Sequence, residues 1–167
     1  MKELRYFAII GLLFVAFITN AQKPRYLKTD TYEGVIFPHY WATSPKNLKE
    51  DFFPTDKEIA IMEKKLVGKI GILLSNFEKR ERSISLYDTI THCDFVKDLG
   101  RFKRQYCGFW NKGDKVIMAQ FWLDVPGDWK KVMMIQGEIG SPCKEFIVTY
   151  SITRGKFIQF FTDLSRM

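Results

Sequence analysis

The chain has 167 residues, of which 46% are hydrophobic, 16% aromatic and 27% charged, with a formal net charge of +7. That length suits one domain with a real core, and the aromatic content excludes a disordered or low-complexity chain. The basic residues are scattered over residues 79–82, 101–104, 130–131 and 154–156, so none of the runs is long enough for a nucleic-acid-binding tail.

The N-terminus has the layout of a secretory signal peptide. Lys2 and Arg5 form a basic start, residues 7–18 are apolar, and Thr19, Asn20 and Ala21 offer small or polar residues before a cut. The apolar run falls short of the roughly 20 residues that span a bilayer. The reading is residues 1–21 as leader, residues 22–50 as an extended arm and residues 51–167 as a single α+β domain, secreted or periplasmic after cleavage near Ala21. The mature chain has no further apolar run of membrane-spanning length. Pro24, Pro38 and Pro45 break any helix in the arm. Its aromatic stretch, residues 32–41, is too apolar for a free linker and is expected to pack on the domain.

A helix is expected from Thr55, where Thr55-Asp56-Lys57-Glu58 fits a capping box. Ile59, Met62, Leu66, Ile70, Leu73 or Leu74, and Phe77 recur at spacings of three and four, one buried face of a single long helix. Gly68 and Gly71 weaken it by about 1 kcal/mol each relative to Ala. Residues 78–85 read as a charged loop, and residues 94–99 as a short second helix ended by Gly100.

Strands follow at about residues 102–110, 114–123, 144–153 and 156–162, with a possible short one at 131–135. The first two flank Asn111-Lys112-Gly113-Asp114, a tight turn in which Gly113 accepts positive φ. Pairing through it sets Phe109 opposite Val116 and Cys107 opposite Met118. Phe109, Val116 and Met118 are assigned to the helix side of the sheet. The opposite face carries Arg104, Tyr106, Trp110, Ile117, Ala119 and Phe121. It is either covered by the arm or open as a binding surface. In the second case Arg104, Tyr106, Trp110 and Phe121 are the binding residues, the aromatics giving apolar contact and Arg104 fixing an anionic or polar group.

One long helix on an antiparallel sheet of about four strands is an α+β, cystatin-like layout, and the cone-shaped fold of nuclear transport factor 2 is the alternative. Arg104-Gln105-Tyr106-Cys107-Gly108-Phe109, with Asn111, Gly113, Lys115 and Ile117, resembles the RQYxGYxNxxGxKxI pattern of small secreted bacterial proteins. The close match covers about a fifth of the chain. The resemblance implies export and a helix-then-strands fold, and it brings no catalytic residue with it.

A catalytic centre is not legible. His39 and His92 stand in no metal-ligand spacing, and no GxSxG, CxxC or phosphate-binding glycine loop occurs. His92-Cys93-Asp94 is a poor nucleophile-and-base arrangement, because such pairs meet across a fold rather than along the chain. Asp94 and Asp98 fit a solvated helix face. Gln136-Gly137-Glu138-Ile139-Gly140 matches the cystatin inhibitory turn only in its Gln and its Gly, with a charge in place of the apolar residue. Cys93, Cys107 and Cys143 allow at most one intrachain disulfide. No cofactor and no metal are expected. The function expected is a non-catalytic binding module of the cell envelope whose partner is an anionic polysaccharide or a protein. A small enzyme with an enclosed pocket and a cystatin-type protease inhibitor are the alternatives.

Overall fold

The computed structural model describes residues 23–38, 51–84, 93–125, 127–133 and 143–162. The expected leader, residues 1–21, and His39, His92 and the Gln136–Gly140 stretch lie outside them. Among the described residues the fold is α+β, with three helices and a seven-stranded mixed sheet. The cystatin-like expectation of one long helix on about four antiparallel strands is overturned on both counts.

The helical segment is two helices. α1 spans Asp56–Val67 and α2 spans Ile70–Ile84. Thr55 opens α1 with the expected capping box: its hydroxyl accepts from the Glu58 N–H at 3.3 Å, and the Glu58 carboxylate accepts from the Thr55 N–H at 2.9 Å. The break falls at Gly68 and Lys69. A Cβ added at Gly68 would meet nothing nearer than a helix carbonyl at 3.9 Å, so crowding does not explain the glycine there. Its backbone freedom makes it the weakest point of the helical run. The charged stretch after Phe77, expected as a loop, continues α2 to Ile84. Arg, Lys and Glu are good helix formers, and charge alone does not end a helix. α3 is Phe95–Asp98, capped by Asp94, and runs into a 3-10 turn at Leu99–Arg101.

The sheet gains three strands from the chain before α1. β1 (Arg25–Lys28) pairs antiparallel with β2 (Glu33–Phe37), and β2 runs parallel to β4 (Lys103–Asn111). β3 (Asp51–Phe52) meets the far half of the same edge, opposite Phe109 and Gly108. The described part of the arm, residues 23–38, therefore joins the plane of the sheet instead of lying over a face. Gly34 makes the close approach possible, since a Cβ there would come within 2.6 Å of the Tyr106 ring. β5 (Asp114–Trp122), β6 (Glu145–Ser151) and β7 (Lys156–Thr162) continue as an antiparallel meander. Residues 131–132 lie in a turn rather than a strand.

The β4–β5 register is the one expected from the turn: Phe109 opposes Val116, Cys107 opposes Met118 and Asn111 opposes Asp114. Lys112 and Gly113 both take positive φ, as a two-residue hairpin turn of this twist requires. The assignment of faces is inverted. Tyr106, Ile117, Ala119 and Phe121 face the helices and pack with Ile59, Met62, Leu66, Ile70, Leu74 and Phe77. At the centre of that core Phe121 and Phe146 stack with centroids 4.2 Å apart. Cys107 and Met118 face the other way, with Val35, Phe37, Trp122, Trp129 and Met133. That second face is covered by the connection after β5. The Gln105 side-chain amide donates to the carbonyls of Trp129 at 2.7 Å and Val132 at 2.9 Å and pins the cover down.

Cys93 and Cys143 form a disulfide that ties the approach to α3 to the approach to β6, and Cys107 is free and buried. Burial pushes the Cys107 thiol well above its ordinary range, so it is inert in the folded state. Thiol titration is expected to find no reactive thiol in the native protein, one per chain after denaturation, and three after denaturation with reduction. Reaction of Cys107 under native conditions would contradict its burial.

Candidate functional site

The four residues expected to bind a partner are not together on an open face. Arg104, Tyr106 and Phe121 are buried, and Trp110, near the end of β4, is 36% exposed and sits edge-on to Phe52. The structure instead brings Arg104 and Tyr106 onto a residue that composition gave no reason to single out, Glu63 of α1. The Arg104 Nε lies 3.2 and 3.3 Å from the two Glu63 oxygens, and the Tyr106 hydroxyl donates to Oε1 at 2.8 Å. The rest of the guanidinium donates to the Phe102 carbonyl and, at 2.9 Å, to the Leu99 carbonyl. The Tyr32 ring lies over it with its centroid 4.8 Å from Cζ, and the Phe121 ring lies 5.2 Å away.

Burial is the main influence on Glu63 and raises its pKa; Arg104 and the Tyr106 hydroxyl pull the other way without cancelling it. Above this pair opens a cleft of about 500 Å³ bounded by Thr29, Tyr32, Val67, Val96 and Gly100. It is the feature that best fits the alternative of a small enzyme, because a carboxyl with a raised pKa at the floor of a cleft is a general acid in waiting. The geometry argues against that role. Both Glu63 oxygens are engaged by groups of the protein itself, and the guanidinium is sandwiched between two rings and two carbonyls. The cluster is built as a clamp.

A second concavity has a different character. It lies between the α1–α2 junction and the β6–β7 turn, with a volume of about 460 Å³. Its lining contains Lys64, Lys65, Lys69 and Lys156 around Gly68, Ile72, Leu73, Gly155 and Phe157, and no acidic residue among the described residues. Among the described residues Lys64, Lys69 and Lys156 make no ion pair. Lys65 donates to the Gly155 carbonyl at 2.7 Å. Gly155 has φ +64°, and a Cβ there would stand 3.2 Å from the Lys65 ammonium, so glycine serves both the turn and the approach. Four cations without an anion form a field that attracts anions, and the low-dielectric apolar wall strengthens it.

Among the described residues no group of three His, Cys, Asp or Glu is placed to hold a metal ion. Asp94 caps α3 and Asp98 pairs with Arg101 at 2.7 Å, so these carboxylates have structural roles. Cys93, next to His92, is committed to the disulfide. No family model, curated protein or solved structure matches the chain.

Of the groove's lysines, sequence reading noted only Lys156, as part of a scattered basic group, while Gly68 and Leu73 were read as parts of the helix. The helical lysines carried a weak signal of their own. Lys65, Lys69, Ile72, Leu73 and Asn76 fall at helical spacing on one stripe. An exposed isoleucine among lysines on the outward side of a helix is out of place in an ordinary solvated surface. Across the groove stands the β6–β7 turn, where Gly155 meets Lys65 from 90 residues away in the chain.

Breaking the clamp from one side is expected to be costly. Arg104→Met leaves Glu63 buried without its cation and should destabilise the fold by about 3–5 kcal/mol. The double change Glu63→Leu with Arg104→Met should lose less than the single one, because the uncompensated charge is gone. The pH dependence has a definite sign. A carboxyl whose pKa is raised on folding favours the folded state at acid pH, and that contribution is lost as the pH rises from the ordinary carboxylate range through the folded pKa. Denaturant unfolding across pH should therefore show wild type losing ground to Glu63→Gln as the pH rises. The reverse slope would mean that the pair holds Glu63 ionised more firmly than burial opposes it.

Proposed function

We propose that the protein is a non-catalytic binding module of the cell envelope and that it holds an anionic envelope component in the lysine groove between the helices and the β6–β7 turn. The single observation that carries this reading is the groove itself: four lysines, an apolar floor and, among the described residues, no carboxylate in the lining. Charge complementarity of this kind selects anions and raises their rate of encounter. The excess of basic over acidic residues in the chain as a whole adds to it.

Two further features suit the location. The first 21 residues have the pattern of an export signal, and a disulfide between Cys93 and Cys143 persists in an oxidising compartment such as the periplasm or the exterior. No helix of the described residues is long and apolar enough to cross a membrane. N-terminal sequencing of exported material is expected to begin at Gln22 or within a few residues of it. Mature protein that retains Met1 in the membrane fraction would refute the export reading.

The binding reading is tested by reversing charge at the rim. Lys69 and Lys156 are exposed and support no core contact, so Lys69→Glu with Lys156→Glu should leave the thermal midpoint near that of wild type. Retention on immobilised polygalacturonate, and on isolated envelope fractions, should fall severalfold and become less sensitive to salt. Unchanged retention in the folded double variant would remove the groove as the binding surface.

A further inference from the structure

The groove is not uniform along its length. Its lysines gather at one end, and from there its floor continues through Leu73 and Phe157 into a second depression of about 200 Å³ over Phe77 and Phe160, whose rim carries Asn76, Arg80 and Gln159. Both depressions share Leu73 and Phe157, so they form one path between α2 and β7. One helical stripe, running from Lys69 through Leu73 and Phe77, forms a wall of that path. At 1.5 Å per residue the stripe from Lys69 to Arg80 is on the order of 16 Å long. At the charged end Ile72 is 54% exposed, and at the far end Ile158 is 38% exposed. The stretch between the two ends, over Leu73 and Phe157, is the apolar part of the path, and it lies directly beside the lysines.

We infer that the occupant is a single-chain anionic lipid, bound as a monomer, with its headgroup among Lys64, Lys69 and Lys156 and its chain along Leu73, Phe157 and Ile158. The inference rests on the proposed anion-binding role of the groove and names the chemistry that would use the whole of it. Charge complementarity specifies the head: the rim is cationic and its lining holds no acid. The apolar floor specifies the tail: Leu73 and Phe157, with Phe77, Ile158 and Phe160 beyond them, offer an alkyl chain contact between the polar side chains of the rim, and burial of each methylene tightens binding by up to about fourfold. Lys65 is tied to the Gly155 carbonyl and braces the rim rather than closing on the headgroup.

Calorimetric titration of the exported protein with four probes, each below its micellar concentration, tests this. The probes are dodecyl phosphate, octyl phosphate, inorganic phosphate and dodecyl maltoside. Dodecyl phosphate is expected to bind one to one, at least about tenfold tighter than octyl phosphate, as the methylene increment requires. It should also bind at least about tenfold tighter than inorganic phosphate or dodecyl maltoside. Ile72→Glu and the Lys69→Glu, Lys156→Glu pair should each weaken dodecyl phosphate by about tenfold or more while thermal melting stays near wild type. Equal affinity for dodecyl phosphate and inorganic phosphate would overturn the lipid inference; if the lysine pair still governed retention on polygalacturonate, the anion-binding reading would stand. Equal affinity for dodecyl phosphate and dodecyl maltoside would also overturn it, by showing a site without headgroup selection. Binding only to vesicles of mixed phosphatidylcholine and phosphatidylglycerol, and not to the monomeric probes, would replace it with a membrane-surface site. Indifference of both polygalacturonate and dodecyl phosphate to the lysine pair would remove the groove altogether.

Discussion

The contact between Glu63 and Arg104 decides how this protein is put together. Each is almost wholly buried, and neither is tolerable there alone. A carboxylate on the inward side of α1 needs a cation across from it, and only the strand position that points at the helix can supply one. Arg104 does so, and Tyr106, two residues on and therefore on the same face, supplies the hydroxyl that completes the site. The guanidinium then reaches past the strand to the carbonyls of Phe102 and Leu99 and so anchors the 3-10 turn before β4. One ionic cluster thus joins α1, β4 and the turn, with Tyr32 of the β1–β2 connection laid over it.

That cluster resolves an ambiguity that hydrophobicity leaves open. Both faces of the β4–β5 hairpin are apolar, with Tyr106, Ile117 and Phe121 on one side and Cys107, Met118 and Trp122 on the other. Either could serve as a core. A shift of one residue would exchange the faces and put Arg104 beneath the β5–β6 connection, far from its carboxylate. The second face instead carries Gln105 and Gln120, neutral amides, and Gln105 is met by two backbone carbonyls of the covering segment.

With both faces of that hairpin covered, the proposed recognition falls to the margins. β7 ends the sheet order, and α2 passes beside it. Helix and edge strand leave a trough between them because the sheet stops there while the helix does not. Lysines on the rim of such a trough have two effects at once: they discourage edge-to-edge pairing of β7 with another chain, and they attract anions. The proposed binding role grows from this second effect, and the lipid inference from the apolar floor beneath it.

Local features were legible in the chain alone. The capping box at Thr55, the buried stripe of α1, the positive-φ turn at Gly113 and the pairing of Phe109 with Val116 are each written within a few consecutive residues, because backbone sterics and side-chain periodicity act over that range. The break at Gly68 was visible as a weakness but not as an end, since propensity is a bias that tertiary context overrides in either direction. The strands of the arm were hidden by its prolines, and the parallel pairing of β2 with β4 depends on an edge that only the folded sheet provides. The side of the sheet that meets the helices, the meeting of Glu63 with Arg104 across 41 residues, and the facing of Lys69 by Lys156 were decided by tertiary structure alone. The physical reason is common to all three: a local pattern states that a residue is apolar or charged, but which distant residue neutralises or covers it is a property of the assembled chain.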